Sequence, residues 1–253
     1  MKIISYNVNG IRSAINKGLL NWLKISNPDI LCLQEIKLSE TELVSPFFEE
    51  LDYHCFWYPA QKRGYSGVAL LSKTKPKHIQ YGNGNPLVDN EGRMLRADFE
   101  DFSILSMYFP SGSSGDERQT VKMHFLEDFL VYVNNLRQEL SNLVICGDVN
   151  ICHREIDIHN PKSNANSSGF LPEEREWVGK FLDTGFVDTF RHFNQEPHHY
   201  TWWSYRAGAK QKNLGWRIDY HFVTENLKEK LISAAIHPDQ LMSDHCPIEL
   251  VLQ

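Results

Sequence analysis

The run Leu143-Val144-Ile145-Cys146-Gly147-Asp148-Val149-Asn150 decides the fold class. Its first four residues are unbroken aliphatic sequence, the pattern of a strand buried on both faces. Upstream, Val121, Phe125, Phe129, Val133, Leu136 and Leu140 fall on one stripe of a long helix from about Asp116 to Leu140. Downstream, Pro172 opens another helix with Glu173 and Glu174 in its first turn. The N-terminal part alternates in the same way. Lys2 to Val8 reads as a strand, and Ile11, Ile15, Leu19, Trp22 and Leu23 then lie at helical spacing up to Pro28. Ile30 to Leu33 is a buried strand, followed by a helix opened by the capping box Ser39-Glu40-Thr41-Glu42. Val68–Leu71, Ile104–Phe109, Arg217–Val223 and Pro247–Leu252 read as further strands. This alternation predicts an α/β fold, with sheet packed on sheet inside helical layers.

Polar residues collect where the strands end. Asn7 and Asn9 end the first, Glu35 the second, Tyr108 a third, and Asp148 and Asn150 a fourth. Singly, each has an ordinary explanation: an Asn beside Gly10 suits a turn, and an Asp before a helix caps it. Four strands ending alike mark the rim at which open α/β sheets bind ligands. Oxygen donors without a Cys/His pair suit magnesium or manganese better than zinc. Asn7-Val8-Asn9 and Asp148-Val149-Asn150 also echo one another, in a match short enough to arise by chance.

The chain has 253 residues, 42% of them hydrophobic and 12% aromatic, which suffices for a large core and excludes constitutive disorder. Lys+Arg 26 against Asp+Glu 32 gives a net charge of -6, which excludes a histone-like binder but not a nucleic-acid enzyme with a metal-filled acidic site. Five cysteines without a CxxC pair argue against zinc and for a reducing compartment. With no signal peptide and no apolar span of about 20 residues, a cytoplasmic, membrane-free protein is expected. No stretch reads as a linker, so residues 1–253 are expected to form one domain. Motifs for NTPase, dinucleotide, zincin and serine-hydrolase chemistry are absent. Two C-terminal stretches add chemistry. Gly215-Trp216-Arg217-Ile218-Asp219-Tyr220 sets Asp219 on the opposite strand face from its neighbours. Ser243-Asp244-His245-Cys246-Pro247 sets a carboxylate beside an imidazole, and an Asp–His pair from two segments is a common way to fix a charged ring.

Seven ordered blocks then carry a resemblance: SYNVNGIR (5–12), LCLQEIK (31–37), GYSGVALLSK (64–73), MYFPSG (107–112), CGDVNICHREIDIHNPK (146–162), GWRIDYH (215–221) and SDHCPI (243–248). The chain resembles the exonuclease III family of abasic-site endonucleases, within the endonuclease/exonuclease/phosphatase superfamily. The resemblance implies a four-layer α/β sandwich, two mixed β-sheets face to face with helices outside. It also implies hydrolysis of the DNA backbone 5′ to abasic sites, with 3′–5′ exonuclease and 3′-end phosphatase activity, on double-stranded DNA and by a monomer. Glu35 is implied as the principal Mg2+ ligand (Mn2+ substituting), with Asp244 close by and one of Asn7 or Asn9 contributing. Asp148 and Asn150 are counted in the same metal set. Asp148 would orient or deprotonate the attacking water, and Asn150 would hold a phosphate oxygen. His245, paired with Asp219, would polarise the scissile phosphate, and Tyr108 would hydrogen-bond it.

The chain departs from the family pattern at Asn9, which is Asp in animal-type relatives, and at Ser111, where an amide often stands. Between Tyr200 and Trp216 aromatic and cationic residues interleave. Trp203 is expected in the core. By resemblance Trp202 and Trp216 wall a pocket for a flipped sugar, with Tyr200 behind them, and Arg206 enters the duplex. Lys62, Arg63, Lys162 and Arg175 are candidate phosphate contacts. The alternatives are a 3′-end-processing nuclease with little abasic incision, a lipid phosphodiesterase or deoxyribonuclease I-like branch, and a non-catalytic DNA-binding relative. The intact set Glu35, Asp148, Asn150, Asp219, Asp244 and His245 speaks against the last.

Overall fold

Side chains alternate across a strand, and in Leu143–Asp148 this period separates Leu143 and Ile145 from Val144, Cys146 and Asp148. The computed structural model, which describes residues 1–253, shows what each face meets. The strands are β1 (Lys2–Asn7), β2 (Ile30–Gln34), β3 (His54–Tyr58), β4 (Val68–Ser72), β5 (His78–Tyr81), β6 (Met94–Asp98) and β7 (Ser103–Tyr108). They continue as β8 (Leu143–Asp148), β9 (Phe186–Asp188), β10 (Trp202–Trp203), β11 (Gly215–Trp216), β12 (Asp219–Thr224), β13 (Leu231–Ile236) and β14 (Ile248–Leu252). The helices are α1 (Ile11–Asn16), α2 (Leu19–Ser26), α3 (Ser45–Glu49), α4 (Pro86–Asp89), α5 (Asp116–Glu139), α6 (Pro172–Asp183) and α7 (Thr189–Phe193).

Two six-stranded sheets form, ordered β13-β14-β1-β2-β4-β3 and β5-β6-β7-β8-β12-β9, with β10 and β11 as a separate ribbon. Only β1–β2 and β7–β8 pair in parallel, so both sheets are mixed. Between the sheets lie Ile3, Cys32, Val68, Ile104, Val144, Cys146 and Val223. Outside the first sheet, Ile4, Tyr6, Leu31 and Leu33 pack on Ile11 and Ala14 of α1, Leu19 and Leu23 of α2, and Phe48 of α3. Outside the second, Leu105, Ile145, Tyr220 and Phe222 meet Phe125, Phe129 and Val133 of α5 and Trp177 and Phe181 of α6. This is the four-layer α/β sandwich that the resemblance implied.

Along the inter-sheet face the strands change character toward one rim. Ile3 gives way to Ser5 and Asn7, Cys32 to Gln34, Ile104 to Ser106, and Cys146 to Asp148. Gln34 Nε2 donates to Ser5 Oγ at 3.1 Å and to Ser106 Oγ at 3.4 Å, a buried polar belt beneath the rim. Gly147 has φ +141, and a Cβ there would run into the Met107 carbonyl of β7. Glycine is therefore what lets β8 reach the rim alongside β7.

Two helix expectations are corrected. The apolar spacing from Ile11 to Leu23 is split into α1 and α2 by Gly18, which at φ +102 cannot continue a helix. The Ser39–Glu42 capping box does not form. Thr41–Leu43 is a 3-10 turn without a side-chain cap, and α3 starts afresh beside Pro46, a residue suited to a helix's first turn. All five cysteines are free, four of them buried.

A buried charge network ties the loop after β8 to the second sheet. Asp157 accepts from Arg217 Nε at 2.7 Å and from Arg191 Nη2 at 2.6 Å, and Arg217 Nη2 reaches Asp188 Oδ2 at 2.7 Å. Burial alone would raise the Asp157 pKa, but the Arg217 and Arg191 guanidiniums outweigh it and hold the carboxyl at about 2, below its ordinary 3.8. A depressed folded-state pKa contributes stability that is present above the unfolded value and lost as pH falls through the folded one. Melts of the native chain should therefore lose stability between about pH 4 and about pH 2 more steeply than melts of Asp157→Asn. At pH 7 that substitution leaves two guanidiniums short of a charge partner, and should cost about 3–5 kcal/mol, or roughly 10 °C in Tm.

Candidate active site

At the rim, one fully buried amide joins the two sheets. Asn7 Nδ2 donates to Glu35 Oε1 at 2.8 Å and to Asp148 Oδ2 at 2.9 Å, while its Oδ1 accepts from Asn9 N at 3.0 Å. The segments after β1 and β2 are zipped by Val8 N→Gln34 O and Gly10 N→Glu35 O, at 3.0 and 2.8 Å. That zipper brings Asn9, Glu35 and Lys37 together. Lys37 Nζ lies 2.8 Å from Glu35 Oε2 and also donates to Asn9 Oδ1. Asn9 Nδ2 donates to Asp244 Oδ1 at 2.8 Å, and Trp202 Nε1 donates to Asp244 Oδ2 at 3.0 Å.

The echo between Asn7-Val8-Asn9 and Asp148-Val149-Asn150 is structural, not chance. In each, the first side chain's Oδ1 accepts from the N–H two residues on, at 3.0 Å and 2.9 Å. In each, the second Asn is left-handed, with φ +44 and +58. Glu35 and Lys37 adopt φ +49 and +51, conformations that side-chain-bearing residues hold only where the surroundings enforce them.

His245 is buried, with Nδ1 at 2.9 Å from Asp219 Oδ2 and Nε2 at 3.8 Å from Asp148 Oδ2. β8 and β12 pair antiparallel with Asp148 opposite Asp219, which places both carboxylates at one level of the rim. Thr201 Oγ1 accepts from Asp219 N at 3.2 Å and fixes that end of β12. Burial raises the pKa of Asp148, and the carboxylates of Asp219 and Glu35 add to it, with His245 opposing. Burial would lower the pKa of His245, but Asp219, and then Asp148 and Asp244, drive it up instead. Burial pushes Glu35 up, yet the Lys37 ammonium and the Asn7 amide leave it lowered. Burial together with Glu35 and Asp148 raises the Tyr108 hydroxyl well above its ordinary value, so it remains a donor.

Glu35, Asp148 and His245 offer ligand atoms within 4.8 Å of one another. Asp244 stands outside that group, held by Asn9, Trp202 and Ser243. Asn7 Oδ1 accepts from the Asn9 N–H, which uses one of its two lone pairs. Asn9 Oδ1 and Glu35 Oε2 share the Lys37 ammonium, which shows where these oxygens accept positive charge. Apart from the His245 ring nitrogen, which Asp219 already holds, the donors gathered here are carboxylate and amide oxygens, the kind that hard divalent cations take.

Trp202 and Trp216 pair across the β10–β11 ribbon, edge to face with centroids 6.1 Å apart, and the Trp202 ring lies 6.5 Å from His245. Both are half-buried against Ile158, Phe170 and Ile218. Tyr200 is not behind them: it packs with Trp203, Ala209 and Cys246 in a different cluster, and Trp203 is buried as expected. Asn150 Nδ2 donates to Phe109 O at 3.0 Å. Lys62, Arg63, Lys162 and Arg206 are exposed on loops, and Arg175 is half-buried over the Phe170 ring. Sequence reasoning gave no role to Lys37, although a cation two residues from Glu35 was a signal. It also passed over Arg93, whose guanidinium stacks 4.6 Å from the Tyr108 ring and donates to the Tyr108 carbonyl at 2.9 Å.

A four-layer sandwich with carboxylates, amides and a carboxylate-held imidazole on one rim defines a hydrolase of phosphate esters. The chain belongs to the endonuclease/exonuclease/phosphatase family, whose model matches residues 4–245. It is 44% identical to an exodeoxyribonuclease of Bacillus subtilis, over 100% of this chain and 99% of that protein. It is 42% identical to the DNA repair nuclease APEX1 of Danio rerio, over 100% of this chain and 82% of that one. An AP endonuclease structure from Archaeoglobus fulgidus superposes with a TM-score of 0.91 at 31% identity, covering 100% of this chain and 99% of the other. No helix is long and apolar enough to cross a membrane.

An imidazole and the carboxylate that holds it act as a unit, so their losses should not multiply. His245→Ala is expected to lower kcat by about 10²–10³-fold, the range for losing one preorganised donor to a developing anion. Adding Asp219→Ala to it should cost little more; steady-state turnover of the two single variants and the double variant checks this.

Proposed function

We infer that this chain is a DNA repair nuclease that hydrolyses the phosphodiester 5′ to abasic sites and also trims blocked 3′ ends. The observation that carries this reading is contiguity: the Glu35–Asp148–His245 group adjoins the Trp202–Trp216 pair through Trp202 itself. Residues 1–253 act as one domain, as a monomer in the cytoplasm, with Lys62, Arg63, Lys162 and Arg206 as contacts to duplex phosphates.

Phosphodiester hydrolysis needs an in-line water, an acceptor for its proton and positive charge around the phosphate. His245, kept protonated by Asp219, donates through Nε2 to a phosphate oxygen. Tyr108 donates its hydroxyl to the same phosphate, and Asn150 holds another of its oxygens. Asp148 orients the water and accepts its proton. Glu35 and Asn9, with Asp244 alongside, would hold Mg2+. When bound, the ion supplies Lewis-acid stabilisation of the leaving oxygen.

An intact nucleotide resists extrusion from the stack, whereas an abasic sugar has no base to unstack. The Trp202–Trp216 wall admits the bare sugar and excludes one that carries a base. Two measurements separate this from a purely structural role. Trp202→Ala should collapse the ratio of abasic to undamaged cleavage by roughly 10-fold or more at near-normal Tm, a loss on the scale of one pocket contact. An unchanged ratio with a large fall in Tm would return Trp202 to the core.

Chelation supplies the companion test. Excess EDTA should abolish cleavage while the circular dichroism spectrum is retained, and Glu35→Gln should behave likewise. Cleavage by metal-free enzyme would refute the assignment. Three labelled duplexes (an internal abasic analogue, a 3′-phosphate nick and a recessed 3′-OH) would rank the activities. Cleavage of the last two alone would replace abasic incision with 3′-end processing.

A further inference from the structure

A fully buried charge pair lies behind the catalytic rim, and the mechanism above makes no use of it. Lys122 occupies the buried stripe of α5 with Phe125, Leu126, Phe129 and Val133, where sequence periodicity expected Val121. Its ammonium lies 2.6 Å from Glu174 Oε1 at the start of α6, and neither side chain is exposed to solvent. Well-packed apolar residues would serve stability at least as well as two desolvated charges. The pair's remaining hydrogen bonds point to another role.

Lys122 Nζ donates to the Asn150 carbonyl at 2.9 Å. Glu174 Oε2 accepts from Gly169 N at 2.6 Å and Leu171 N at 3.0 Å, and Oε1 also accepts from Gln119 Nε2 at 3.0 Å. Asn150 is held left-handed at φ +58. Gly169, at φ +93, lies directly under Trp216: a Cβ there would stand 3.0 Å from Trp216 Cζ3 and 3.2 Å from Asn150 O. Cys152 N donates to Gly169 O at 2.7 Å and closes the loop after β8 onto this glycine. One buried contact therefore holds the backbone of the phosphate-binding amide on one side and the seat of the pocket's aromatic wall on the other.

We propose that the Lys122–Glu174 pair is a positioning element that sets Asn150 and Trp216 in register, tying phosphate hydrolysis and lesion choice to the same buried contact. This rests on the function proposed above. Lys122 acts through the Asn150 carbonyl, and Glu174 through the Gly169 and Leu171 amides. Neither touches substrate. A shift of even about 1 Å at a group that aligns the reacting phosphate can cost about 100-fold in rate.

The test replaces the pair without leaving a lone buried charge. Lys122→Met with Glu174→Leu leaves the Gly169 and Leu171 N–H groups and the Asn150 carbonyl without these partners, so it should fold with a Tm lowered by roughly 5–15 °C, and it is assayed well below that Tm. Its duplex affinity should be unchanged, its single-turnover cleavage of an abasic duplex should fall about 100-fold, and its abasic-to-undamaged ratio should fall too. Lys122→Met with Glu174→Gln removes the donor to Asn150 but keeps an acceptor for the Gly169 N–H. Its rate should fall while its ratio holds. Native rate and ratio in either folded double variant would overturn the proposal, as would weaker duplex binding with an unaltered single-turnover rate. If the apolar pair does not fold, the second variant decides alone. The same variants are assayed on a 3′-phosphate nick. If the native chain cleaves only that substrate, abasic incision fails as a function, and the rate comparison there still decides the role of the pair.

Discussion

The buried Asn7 amide is the constraint on which the rest of the site depends. It is the only side chain that hydrogen-bonds both Glu35, from the first sheet's rim, and Asp148, from the second's. Two packed sheets can slide or rotate on an apolar interface, because burial is non-directional. Hydrogen bonds of 2.8 and 2.9 Å to two carboxylates remove that freedom at the place where geometry matters most. The Gln34–Ser5–Ser106 belt repeats the device one layer deeper, so register is fixed by polar contacts above an otherwise aliphatic core.

The two similar turns arise from one kind of contact. Asn7 and Asp148 each bend their chain by accepting from the residue two further on, and each delivers an Asn in a left-handed conformation. Asn tolerates that conformation better than other side-chain-bearing residues, so Asn9 and Asn150 suit these positions. The products of the two turns differ. Asn9 turns toward Asp244 and Lys37, whereas Asn150 turns toward the Phe109 carbonyl and is anchored from below by Lys122. A shared local geometry thus delivers two amides into different surroundings, one beside a cation and a carboxylate and the other beside a backbone carbonyl.

Much of this was legible in the sequence because it follows from short periods. The aliphatic runs of β1, β2, β7 and β8, the long stripe of α5 and the polar strand ends each announce themselves within one continuous segment. The rim residues were found as strand-end outliers, and Asp219 and His245 as neighbours in compact motifs. What escaped detection depends on distance in sequence. Lys122 and Glu174 are 52 positions apart, and each alone reads as an ordinary helix-surface charge. Gly18 splits a helix whose apolar spacing is continuous, because periodicity registers side chains and not the backbone angle of one glycine. Tyr200 was grouped with Trp202 because they are neighbours, but the β10–β11 ribbon directs them into separate clusters.

Charge compensation then orders the roles. Glu35, Asp148, Asp219 and Asp244 crowd a rim that must receive a phosphate, in a chain of net charge -6. Three of the four are committed elsewhere: Asp219 to His245, Asp244 to Asn9 and Trp202, and Glu35 to Lys37 as well as Asn7. Asp148 accepts only from neutral amides at hydrogen-bond range, with the His245 ring nitrogen 3.8 Å away. Its raised pKa comes first from burial, with His245 opposing and the carboxylates of Asp219 and Glu35 adding to it. Asp219 drives the pKa of the buried His245 ring up and leaves its Nε2 on the Asp148 side. In the function proposed above, burial and partners together then assign the proton to Asp148 and the positive charge to His245.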